Sequence, residues 1–166
     1  MDKEKTRLEV LDAVRQALSG VDGSQDRKQT NTPEISENDV IAELGIESLE
    51  MIALTQVLEQ RFNLGYIEVE TIKNLTVGQL CNKVVYHNLR AEVKKEMLKI
   101  LHKLDKHTDY SGACEEERIF WDWEYDSMDI AELALEIEHK FGVDLSGLNL
   151  SDYTFGEVID CITERL

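Results

Sequence analysis

The chain has 166 residues, 42% of them apolar, and a formal charge of −16. That length suits one ordinary domain or two small ones. The charge argues against nucleic acid or an anionic membrane surface as a partner, because both call for a basic footprint. One proline and nine glycines favour long helices over many strands and turns, so the expected fold class is all-α.

The elements follow from apolar spacing. "KTRLEVLDAVRQAL" (5–18) reads as a first helix. The stretch 19–39 contains Pro33 and is rich in Gly, Ser, Asn and Asp, a loop composition. "SLEMIALTQVLEQRF" (48–62) places Met51, Leu54, Leu58 and Phe62 on one face of a second helix. A short helix is expected near 68–73, and another from Thr76 as N-cap. Next comes "RAEVKKEMLKILHKL" (90–104), with Asn88 the expected break before it. "SMDIAELALEIEHKF" (127–141), a short helix near 148–152 and a last helix from Thr154 complete the chain. No apolar run approaches the roughly 20 residues needed to span a bilayer. Cys81, Cys114 and Cys161 are widely spaced with no Cys-x-x-Cys. With no signal peptide after Met1, they suggest a reduced, cytoplasmic protein.

The chain repeats itself. At an offset of 79, Ser48 falls on Ser127, Leu54 on Leu133, Glu59 on Glu138 and Phe62 on Phe141. "TVGQL" (76–80) answers "TFGEV" (154–158) at an offset of 78. Upstream, Val40, Ile41, Leu44 and Ile46 align with Ile119, Phe120, Trp123 and Tyr125. Three matches in order argue for a duplicated unit. Short helices bury their apolar stripes only together, so two tandem four-helix bundles are expected, at 1–88 and 89–166. In "IFWDWEY" (119–125) most aromatics are expected in the core, with Trp121 the exposed one. Residues 1–88 carry 9 basic and 15 acidic side chains, 90–106 six and three, and 107–166 three and 16. The acidity therefore concentrates around the second serine helix.

Serine is a favoured N-cap. With Ser48 and Ser127 as caps, the residues three on are Met51 and Ile130, so no capping box is expected. No histidine or lysine lies near either serine in sequence as a base, and neither sits in a nucleophile elbow. They are poor catalytic residues and better acceptors, since a helix N-terminus favours a phosphoryl group. No enzyme activity is expected.

"ELGIESLEMIALTQVLEQRF" resembles the acyl carrier protein signature, Leu-Gly-x-Asp-Ser-Leu followed by a helix ending in Glu-x-x-Phe. "YDSMDIAELALEIEHKFGVDL" resembles a second copy. The resemblance implies four-helix bundles and 4′-phosphopantetheine joined to Ser48 and Ser127 by a transferase using coenzyme A. It also implies acyl thioesters on the arm for fatty acid, polyketide or related synthesis. A phosphopantetheinyl transferase and acyl-loading, condensing and modifying enzymes with basic patches are the implied partners. They would read Glu47, Leu49, Glu50 and Glu59 in the first copy, and Asp126, Met128, Asp129, Glu132, Glu136 and Glu138 in the second. Glu47 replaces the usual aspartate, which by resemblance helps hold the transferase's magnesium ion, so the longer side chain is expected to weaken modification. The second copy has Trp123-Glu124 for Leu-Gly, and its Asp-Ser-Met core is similar to D-alanyl carriers, an aminoacyl alternative. Two further alternatives remain. One is a carrier-fold scaffold without an arm. The other is a calcium-binding protein, whose best loop is 105–116, with His107 at position 3 and Tyr110 at the required glycine. His87, His102, His107 and His139 show no zinc spacing with the cysteines, and no metal site is expected.

Overall fold

The computed structural model describes residues 3–18, 34–104 and 115–166, without the side chains of Glu115 and Trp121. Among the described residues there are six α-helices and no strand, only two isolated bridge pairs. The all-α expectation is met. Most of the 19–39 loop, Cys114 and nearly all of the 105–116 window lie outside these residues, as does the Trp121 side chain. No described helix is long and apolar enough to cross a membrane. The chain divides into compact units at 1–88 and 89–166.

In the first unit, α1 (Lys3–Leu18) buries Val10, Ala13, Val14 and Ala17. Helix α2 (Ser48–Phe62) buries Met51, Leu54, Leu58 and Phe62, the expected stripe. Helix α3 (Val69–Lys73) adds Ile72, and the first turns of α4 (Val77–Leu104) add Val77, Leu80, Cys81 and Val84. Leu54 and Leu58 are almost fully enclosed, and each such leucine contributes about 1.5–3 kcal/mol. Thr76 opens α4 as expected: its Oγ1 accepts the Gln79 N–H at 3.2 Å, and its own N–H donates to Gln79 Oε1 at 2.9 Å. The segment before α2 is tied across this start. The Val77 N–H donates to Asp39 O at 2.9 Å and the Gly78 N–H to Glu37 O at 2.8 Å. A Cβ on Gly78 would lie 3.0 Å from Glu37 O, which is why glycine stands there.

The second unit has its own core. The α4 residues Val93, Met97 and Leu101 join Ile130, Leu133 and Ile137 of α5 (Ser127–Phe141) and Val158, Ile159 and Ile162 of α6 (Phe155–Arg165). Phe120, Trp123 and Tyr125 are buried with them, and Trp123 meets Phe120 and Phe155 edge-on at 5.7 and 5.6 Å. The aromatic run is core, as its alignment with apolar residues suggests. Thr154 caps α6 through the Glu157 N–H at 3.2 Å, and the Phe155 N–H donates to Arg118 O at 2.9 Å. A Cβ on Gly156 would lie 3.0 Å from Glu116 O, matching Gly78.

Two element expectations are corrected. Helix α4 continues from Val77 to Leu104 without a break at Asn88. No Pro or Gly interrupts it after Gly78, and a single Asn costs a helix well under ~1 kcal/mol. The short third helix of the second unit is only a 3-10 turn, Leu150–Asp152.

Each unit also holds an arginine clamp. Arg7 donates to Glu37 Oε1 at 2.5 Å and Asn82 Oδ1 at 2.6 Å. Arg90 donates to Asp160 Oδ1 at 2.5 Å and Glu116 Oε2 at 2.8 Å, and Lys94 reaches Glu116 Oε1 at 2.5 Å. Both clamps tie the first helical segment of a unit to its last and to the loop before the serine helix. Hydrogen bonds from Arg90 and Lys94 hold the Glu116 carboxyl down at about 2.

Candidate functional site

Ser48 and Ser127 are the first residues of α2 and α5, and the N-caps are Glu47 and Asp126. This corrects the expectation that the serines are the caps. Glu47 and Asp126 have extended backbones (φ −72° and −86°), the conformation a cap residue takes. A capping box is also present, one residue earlier than the serine register suggests. Asp126 Oδ1 accepts the Met128 and Asp129 N–H groups at 2.7 and 3.0 Å, and Asp129 Oδ2 accepts the Asp126 N–H at 2.9 Å. Those backbone hydrogen bonds hold the Asp126 carboxyl below the usual carboxylate range. In the first unit the Glu47 N–H donates to Glu50 Oε2 at 2.9 Å. The Glu47 side chain, one methylene longer, faces the Glu50 N–H in return, so the same reciprocal box is present.

Because the preceding acid occupies the cap, the serine hydroxyl has no structural duty. Both serines are exposed, and neither Oγ has a hydrogen-bond partner among the described residues. Each sits where the helix's first N–H groups and dipole favour an added negative group. A phosphate ester on either oxygen would displace no internal contact. Leu49 and Met128, next in sequence, stand 80% and 81% exposed.

The remaining candidate residues separate. Glu50 and Asp129 turn back to their own helix starts. Glu59 Oε1 accepts the Ile67 N–H at 2.6 Å and Glu138 Oε1 the Leu145 N–H at 2.8 Å. These two carboxylates pin the loop that leaves each helix. Their identity in both copies was the signal in the sequence. The same bonds locate the one-residue slip between the copies: the pin spans eight residues in the first and seven in the second. Tyr66 stands in the longer loop and is exposed. Glu136 pairs with Lys103 at 2.7 Å, so it too is engaged within the fold. Glu132 is exposed and has no ion-pair partner among the described residues. Among those residues there is also no His/Cys/Asp/Glu group able to hold a metal.

The loop before each serine also repeats. Gly45 ends the 3-10 turn Ile41–Leu44 with φ 75°. Glu124, after the 3-10 turn Phe120–Trp123, takes the same left-handed conformation at φ 61°. The loop shape thus survives loss of the glycine.

No curated protein and no solved structure matches the chain. Residues 12–84 match the family described as the phosphopantetheine attachment site. The match includes Ser48, covers less than half of the chain and does not reach Ser127. Residues 12–84 are therefore similar to the domains to which 4′-phosphopantetheine is covalently attached.

Proposed function

We propose that the protein is a tandem carrier, with units 1–88 and 89–166 bearing 4′-phosphopantetheine on Ser48 and Ser127. The observation that carries this reading is the pair of exposed, unbonded hydroxyls at helix starts already capped by Glu47 and Asp126. The arm, when attached, supplies a terminal thiol that holds an acyl group as a thioester. The chain's own residues provide attachment and address rather than chemistry. A tethered intermediate stays at high effective concentration while it meets successive enzymes of fatty acid, polyketide or related synthesis. The acyl carrier resemblance around Ser127, with the parallel caps, loop pins and clamps of the two units, supports extending the reading to the second.

Incubation with coenzyme A and a broad phosphopantetheinyl transferase tests it. Intact mass spectrometry should show two additions. No addition would remove the carrier reading and leave an interaction scaffold.

A further inference from the structure

We infer that the two units dock different protein surfaces. The outer face of α5 fits a partner with an apolar slot rimmed by Lys and Arg, and the outer face of α2 does not. The inference deepens the carrier reading and rests on it for its purpose, but the surface exists with or without an arm.

The outer face of α5 runs Met128, Glu132, Leu135, at helical spacing. Leu135 is 66% exposed, well off the buried stripe of Ile130, Leu133 and Ile137. Met128 and Leu135 are two turns apart, about 10 Å, with the carboxylate of Glu132 between them. Glu132 is unpaired among the described residues, so its charge is open to a cation from outside. The corresponding positions of α2 are Leu49, Ala53 and Gln56. Past its first turn α2 has only two charged residues. Glu59 is committed to the Ile67 N–H, and Arg61 donates to Glu9 O at 3.2 Å. Past its first turn the α2 face is therefore apolar and amide, with no carboxylate left to offer there. The basic segment of α4 is largely committed, because Arg90, Lys94, Lys99 and Lys103 are ion-paired within the second unit, leaving Lys95. Complementary charge speeds encounter and fixes orientation. A basic partner therefore gains from α5 what α2 cannot give.

The full chain, 15N-labelled and without an arm, would be titrated at pH 7.5 with a helical Leu/Lys peptide as the probe. Amide shifts are expected at Met128, Glu132 and Leu135, and not at Leu49, Ile52 or Gln56. Leu135→Gln should weaken binding about tenfold. Glu132→Gln should weaken it about two- to fivefold and flatten its salt dependence. Ala53→Glu with Gln56→Leu should create binding on α2, a gain that misfolding cannot mimic. Equal shifts on both helices, shifts spread over all acids of the second unit, or no binding at low salt would each overturn the inference. Binding at α5 in a protein that accepts no phosphopantetheine would remove the carrier reading and leave the docking surface. Loading of both serines without selective binding would do the reverse.

Discussion

At Asp126 a short carboxylate accepts two backbone N–H groups, at 2.7 and 3.0 Å, while Glu47 at the same position faces only the Glu50 N–H. One methylene decides how many N–H groups the cap gathers. Asp126→Ala should therefore lower the unfolding midpoint of the second unit, and Glu47→Ala should lower that of the first by less. Glu47→Asp should stabilise the first unit; urea unfolding of the three variants checks the order. At Glu124 the cost lies in the backbone. A non-glycine residue at φ 61° carries a strain of about 1–2 kcal/mol, part of which glycine returns as unfolded-chain entropy. Glu124→Gly should raise the unfolding midpoint of the second unit, whereas Gly45→Ala should lower that of the first. The register of the serines was misread because Ser is itself a good cap. The acid preceding each serine, and a second acid three residues after that, were visible and spell the box correctly.

Among the elements, the helices and their buried faces were readable from spacing alone, because burial of a stripe is a local, periodic demand. The loop pins were not, since Glu59 and Glu138 look like any surface acid until the chain returns to meet them. Each carboxylate accepts a hydrogen bond from a part-buried backbone N–H. Glu59→Ala and Glu138→Ala should each cost about 1–2 kcal/mol, read by thermal unfolding. The clamps are equally long-range, joining residues 30 to 75 positions apart in the first unit. They carry a pH dependence in the second. Glu116 is held at about 2, chiefly by hydrogen bonds from Arg90 and Lys94. Glu96 is held at about 2 by hydrogen bonds from Lys140 and Lys99. A carboxyl whose folded pKa is depressed stabilises the fold fully above its unfolded value and loses that contribution as pH falls through the folded one. Stability from both groups should therefore decline from about pH 4.5 toward pH 2. The gap between wild type and Glu116→Gln should be largest near neutrality and close over that range. A gap unchanged down to pH 2 would show that the clamp contributes nothing.

For the whole molecule, the charge of −16 is less uniform in effect than in count. Many acids of the second unit are consumed by its basic helical segment, by caps or by loop pins. Glu132 is open on the α5 face, and that is where the two serine helices diverge. The parallel between the two units was legible because both keep the buried stripe, the serine and the pinning glutamate. The divergence was harder to read, since it lies in outward positions where folding exerts no demand. The central claim remains that both serines are attachment points freed by their neighbours. Site-resolved mass spectrometry after the transferase reaction tests it most directly. Wild type should gain two 4′-phosphopantetheine units, Ser48→Ala and Ser127→Ala one each, and the double variant none. Two additions persisting in either single variant, or a modified residue other than Ser48 or Ser127, would contradict it.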